Sequence, residues 1–111
     1  MSGQAIFRHA AQGDWTDLGG GSRRRVLLHT EELMLVEFGF EAGAIGALHS
    51  HPHVQASYVA AGRFEVTVGD EVSILSAGDS FIVPSGTTHG VKALEAGRLI
   101  DSFTPRRDDF L

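Results

Sequence analysis

Three of the six histidines in this 111-residue chain fall within five residues, at His49, His51 and His53. Residues two apart on an extended strand point to the same face, so His49 and His51 can aim two imidazoles at one point. Gln55 has the same parity and offers a carbonyl oxygen as a weaker ligand. His89 follows the loop Pro84-Ser85-Gly86-Thr87-Thr88 and could bring a third imidazole from another strand. A donor set of three imidazoles and one amide oxygen suits a single divalent transition metal per chain, with zinc, nickel, iron and manganese all open. A solvated histidine-rich loop is the plainer alternative, and the internal position, the phasing and the flanking apolar strands weigh against it. His53 shares the parity of His51, but Pro52 bends the chain between them, which puts His53 at the rim of the site or behind it.

The elements that must position these residues read almost entirely as strands. Residues 33–40 are rich in strand formers and stop at Glu41-Ala42-Gly43. Residues 55–61 run into Gly62-Arg63, residues 64–68 alternate apolar and polar, Gly69-Asp70 turns, and residues 72–75 return as the second arm of a hairpin. Residues 80–83 end at Pro84, residues 89–93 follow, and residues 98–103 form the last strand. No segment keeps a helical period for three turns. Many short strands between glycine-containing turns mean a sandwich or barrel, and closing the sheet is what would carry His89 to His49 and His51. Residues 1–22 read as a leader anchored by Phe7 and Trp15, docked on its own barrel or on a partner subunit. The expectation is one all-β domain over residues 1–111, with residues 104–111 as a C-terminal tail.

Composition narrows the function classes. A formal charge of −5 leaves no basic surface for nucleic acid or an anionic membrane. The one basic cluster, Arg23-Arg24-Arg25, reads most simply as protection of a strand edge, with a contribution to an anion-binding field as the second possibility. The absence of cysteine excludes disulfides, thiolate metal sites and a cysteine nucleophile. The first residues lack the apolar core of a signal peptide and no apolar run reaches membrane-spanning length, so a soluble cytoplasmic protein is expected.

The spacing of these residues resembles the two motifs of the cupin family, small jelly-roll β-barrels. Gly43, His49, His51, Gln55 and Gly62 match the first, with Gln55 where the family usually has a carboxylate. Gly78, Pro84, Gly86 and His89 match the second, with Ala93 in place of its asparagine. Outside the motifs, Trp15-Thr-Asp-Leu-Gly-Gly-Gly, Arg24-Arg25-Val-Leu, Leu33-Met-Leu-Val-Glu and the tail Asp101-x-Phe-x-Pro-x-Arg107-x-Asp-Phe110 resemble one subgroup. These are the small pectin- and alginate-degradation cupins that linearise 4,5-unsaturated monouronates. The resemblance implies His49, His51, Gln55 and His89 as metal ligands, Asp101, Phe103 and Arg107 as catalytic residues, a small anionic sugar as substrate, and a homodimer.

The chemistry implied by that resemblance can be matched to residues. The unsaturated sugar is an enol ether conjugated to a carboxylate, so opening it needs a proton at C4, water at C5 and an anion clamp. Arg107 has the planar fork that fits a carboxylate, although pairing with Asp108 or Asp109 on a solvated tail is its simplest alternative. Asp101 shares a strand face with Leu99 and Phe103; an inward, apolar setting would raise its pKa and keep a proton available. Phe103 would exclude water and orient the ring. The neutral ligand set leaves the metal's charge undiminished, which favours Lewis-acid work on an anion. The competing readings are another cupin enzyme, an iron-dependent dioxygenase or a sugar isomerase, and a non-catalytic sensor whose metal only shapes the pocket.

Overall fold

A computed structural model describes residues 5–111, so residues 1–4 of the expected leader lie outside the described residues. The described residues form eight strands: β1 (Thr16–Gly19), β2 (Ser22–His29), β3 (Met34–Phe40), β4 (Ile45–His49), β5 (Val54–Val68), β6 (Glu71–Ser76), β7 (Ser80–Val83) and β8 (His89–Thr104). A single 3₁₀ turn, Asp108–Phe110, ends the chain. Among the described residues no helix is long and apolar enough to cross a membrane.

Two long strands organise the rest. β5 and β8 pair antiparallel from Val54 opposite Thr104 to Val68 opposite His89. The first half of β5 also pairs with β7 and its second half with β6. The late half of β8 pairs with β3, and its first residues pair with β4. The two strands therefore pass together from one sheet, β1-β2-β3-β8-β5-β7, into a second, β4-β8-β5-β6, which is the all-β jelly-roll arrangement. The corner lies at Gly62 and Gly97, where the register slips between Ala61, Arg63 and Phe64. Gly62 has φ +84°, and a Cβ there would lie 2.5 Å from the Ala96 carbonyl oxygen. A Cβ on Gly97 would collide with the Ala61 carbonyl oxygen. The sequence reading ended one strand at Gly62 and started another at Arg98. The structure instead carries both strands through, because glycine lets the backbones close up at a bend.

Alternation then sorts the side chains. Met34, Val36 and Phe40 of β3, Val59 of β5, and Leu99 and Phe103 of β8 are buried, while Leu35 and Tyr58 between them face outward. One apolar cluster gathers Phe40, Ala44, Val59, Phe64, Val66, Ala93 and Leu99; a second gathers Met34, Val36 and Phe103, with Phe110 of the tail packed on it. Burying each such phenyl ring contributes roughly 1.5–3 kcal/mol. Gln55, Ser57 and Asp101 are polar residues on this inward face. On β8, Asp101 lies between Leu99 of the first cluster and Phe103 of the second.

The arginine triplet obeys the same period of two. Arg23 and Arg25 sit over the Trp15 ring at 4.0 and 4.4 Å, whereas Arg24 points the other way, to the inner side. Phe7 is 83% exposed, so of the two aromatics in the leader segment Trp15 alone is packed under arginines. Arg25 also holds Glu37, Nη2 to Oε1 at 2.8 Å, and Arg98 takes the other carboxylate oxygen at 2.7 Å. Burial alone would raise the Glu37 pKa, but the hydrogen bonds from Arg98 and Arg25 outweigh it and hold the carboxyl below its ordinary value. A carboxyl depressed in the folded state stabilises the fold above the unfolded pKa, and that stability is lost as pH falls through the folded value. Glu37→Gln should thus cost about 1–3 kcal/mol at neutral pH. The penalty should shrink toward zero below about pH 4. Chemical denaturation at both pH values checks this, and an equal deficit at each would contradict it.

Candidate metal centre and active-site cavity

His49 closes β4 and His89 opens β8, directly opposite it in the register. His51 sits in the connection between β4 and β5. The expected placement of His49 and His51 on one extended strand is therefore replaced by a strand end and a loop, yet the rings still converge. Ligand nitrogens of His49, His51 and His89 lie within 4.8 Å of one another, so these three residues could hold a metal ion. His53 is not in this group; its backbone carbonyl anchors His51 and its ring faces a separate hollow with Glu31 and Arg106.

Backbone anchors decide which nitrogen of each ring is free. Nδ1–H of His49 donates to the Ala47 carbonyl at 2.8 Å, that of His51 to His53 at 3.0 Å, and that of His89 to Thr87 at 2.9 Å. Each Nε2 then carries a bare lone pair. Burial is the leading reason that His51 and His89 are held below the ordinary histidine pKa, which keeps both rings in the neutral, ligand form. Nε2 of His89 is buried without a partner. Gln55 brings Oε1 to 3.0 Å from Nε2 of His51, while its amide nitrogen donates to Ser57 Oγ at 3.0 Å and to Asp101 Oδ2 at 3.3 Å. Two acceptors so close suit a cation bound between them. The residues fit a divalent metal.

A cavity of about 360 Å³ opens beside this cluster, the size for one small ligand rather than a polymer. Its walls include His49, Gln55 and His89, together with Asp101, Phe103 and Arg107. The chain thus brings every residue singled out from the tail to the same space as the histidines. Asp101 faces Val36 on β3 and Ser57 on β5. Burial pushes its carboxyl up to about 7, against a hydrogen bond from Ser57 that favours the anion. Its Oδ1 is buried and has no partner.

Arg107 is packed, not solvated: its side chain is 11% exposed, with the guanidinium carbon 4.2 Å from the centre of the Phe110 ring and 5.2 Å from that of Phe103. It does pair with Asp109, Nε to Oδ1 at 3.0 Å and Nη2 to Oδ2 at 2.8 Å. That bidentate contact, with its hydrogen bonds first, lowers the Asp109 pKa. The pairing and the cavity position, weighed as alternatives from sequence, are both true. The sequence reading gave Ser57 no role, took Phe110 only as part of the tail motif, named Asp109 only as a possible partner of Arg107, and ranked edge protection above an anion-binding field for Arg24. The signal for Ser57 was its parity with Gln55, and the signal for Arg24 was its alternation between two outward arginines.

Comparison with known proteins places this architecture. Over 99 residues the chain is 46% identical to the pectin degradation protein KdgF of Dickeya dadantii, covering 87% of this chain and 90% of that one. The structure of KdgF from Halomonas sp. superposes with a TM-score of 0.92 at 43% identity, covering 97% of this chain and all of that one. An RmlC-like cupin from Shewanella frigidimarina gives a TM-score of 0.94 at 42% identity over 100% of both chains. Residues 36–103 match the cupin domain family, a span that holds the three histidines, Gln55, Asp101 and Phe103. The chain belongs to the cupin family and, within it, stands with KdgF.

Proposed function

We propose that this cupin opens the ring of 4,5-unsaturated monouronates from pectin or alginate breakdown, yielding linear 5-keto-4-deoxyuronate. One observation carries the reading: a buried carboxylic acid, Asp101, shares a cavity of one-sugar size with a histidine cluster and arginine side chains. The substrate class is supported by the 46% identity to a protein of pectin degradation. A sensor that only bound its ligand would have no chemical reason to keep a proton-bearing carboxyl in that wall.

The reaction places a proton on C4 and the hydroxyl of water on C5. The resulting hemiketal opens when the bond from C5 to the ring oxygen breaks, the C5 hydroxyl losing its proton to become the ketone and the ring oxygen gaining one. Asp101 is suited to the proton. Its Oδ2 is held by Gln55 and its Oδ1 is left without a protein partner, so the acid is oriented with one oxygen to spare. After giving its proton to C4, the carboxylate can recover one from the water that becomes the C5 hydroxyl. Phe103, 2% exposed and on the cavity wall, excludes water from one side of the sugar. Asp109 occupies the Nε and Nη2 edge of Arg107, so Arg107 meets the sugar with its remaining donors and its charge. A divalent metal held by His49, His51, Gln55 and His89 would supply Lewis acidity to the oxygens of the substrate.

The identity of the product tests this function. Proton NMR of an unsaturated monouronate treated with the metal-loaded protein should show the open-chain 5-keto product with no oxygen consumed. An unchanged sugar, or uptake of oxygen, would contradict the reading and favour an oxidative cupin.

A further inference from the structure

Arg24 is the one basic residue of the cavity wall that the chemistry above leaves unused. Its strand alternation turns it inward, opposite Phe38 on β3, while Arg23 and Arg25 face out onto Trp15. Its guanidinium carbon stands 4.0 Å from the centre of the Phe110 ring, which fixes where the side chain points. Among the described residues it makes no ion pair, whereas Arg25, Arg63, Arg98, Arg106 and Arg107 each contact a carboxylate. Partial burial is the largest influence on it and lowers its pKa, with the charge of Asp109 acting in the opposite direction. A guanidinium partly withdrawn from water and without a hydrogen-bonded anion has lost some of its solvation, and an anionic ligand in the cavity would compensate for that loss.

The division of labour with Arg107 follows from the tail. Asp109 takes the Nε–Nη2 edge of Arg107 in a bidentate contact, the same edge that would otherwise grip a carboxylate side-on. Arg24 has its whole fork available. Both guanidiniums lie against Phe110, so the ring of one tail residue sets the position of both cations.

We propose that Arg24 is the residue that selects a carboxylate-bearing sugar, gripping the carboxylate with its free guanidinium edge while Arg107 is kept by Asp109 as a supporting charge. The proposal deepens the uronate reading and rests on it for the substrate class. It accounts for an arginine on the inner face of a β-sheet, where Val26 two residues later packs on the core.

Titration calorimetry with galacturonate, a saturated uronate without the C4–C5 double bond that the reaction consumes, tests Arg24 separately from turnover. The metal-loaded wild type should bind it. Arg24→Gln should weaken binding roughly 10–100-fold, the usual loss for a hydrogen bond to a charged group. Arg24→Lys should fall between the two, since it keeps the charge and loses the fork. Neutral galactose should bind wild type and both variants equally weakly, and the melting temperatures should agree. Galacturonate affinity in Arg24→Gln equal to wild type, or no binding by wild type, would overturn the proposal. If galacturonate binding depends on Arg24 while the unsaturated sugar is not processed, the uronate-opening function fails and the anion site stands. If turnover is present and its KM ignores Arg24, only the role of Arg24 fails.

Discussion

Asp101→Asn should lower kcat on an unsaturated monouronate by about 10²–10⁴-fold, the range that a positioned general acid supplies. At the barrier this corresponds to roughly 2.7–5.5 kcal/mol. The substitution is close to isosteric, and the Asn side-chain oxygen can still accept from the Gln55 amide that now meets Asp101 Oδ2. What disappears is the proton that burial keeps on the carboxyl near neutrality. KM and metal content should therefore hardly move, and kcat/KM should fall in step with kcat, as for a group that acts in the transition state. Near-wild-type turnover would remove Asp101 from proton transfer.

Loss of the metal is the second large effect. His51→Ala and His89→Ala each delete one of three imidazoles whose Nδ1 is already anchored and whose Nε2 faces the centre. Elemental analysis should fall from about one divalent ion per chain to a small fraction of that in both variants. Thermal unfolding provides an independent readout. Free metal at about 100 times its dissociation constant stabilises a binding fold by roughly 2.7 kcal/mol, on the order of 10 °C for a domain near 100 residues. Wild type should show that shift and the variants should not. Full occupancy in both variants would dissolve the site assignment.

How the chain encodes these features differs from one residue to the next. The histidine spacing was legible because it depends on local phasing, and convergence survived even though His51 lies in a loop rather than on the strand of His49. That Asp101 and Phe103 share one face with Leu99 was legible from period two along β8, whereas their place in a site was legible only through the resemblance of the tail. The strand limits at Gly62 and Gly97 were not, since a glycine that ends a strand and one that lets two strands cross look alike in sequence. Only the closeness of the Ala61 and Ala96 carbonyls tells them apart. Arg24 was misjudged for a related reason. Its neighbours do face out, one onto Glu37 and both onto Trp15, and which of three consecutive arginines turns inward depends on the pairing of β2 with β3. Pairing of Arg107 with Asp108 or Asp109 was legible, but which of the two holds it, and that the pair is packed on the cavity, depends on the final 3₁₀ turn, too short a segment to leave a periodic signal.

The most direct measurement of the central claim is the rate at which an unsaturated monouronate loses its ultraviolet absorbance. The conjugated double bond between C4 and C5 is the chromophore, and its protonation is the step assigned to Asp101. With metal-loaded protein the absorbance should decay far faster than the spontaneous rate, in proportion to enzyme concentration, and Asp101→Asn at equal metal content should return it most of the way to that rate. Decay no faster than in buffer, from protein shown to carry its metal, would contradict the account.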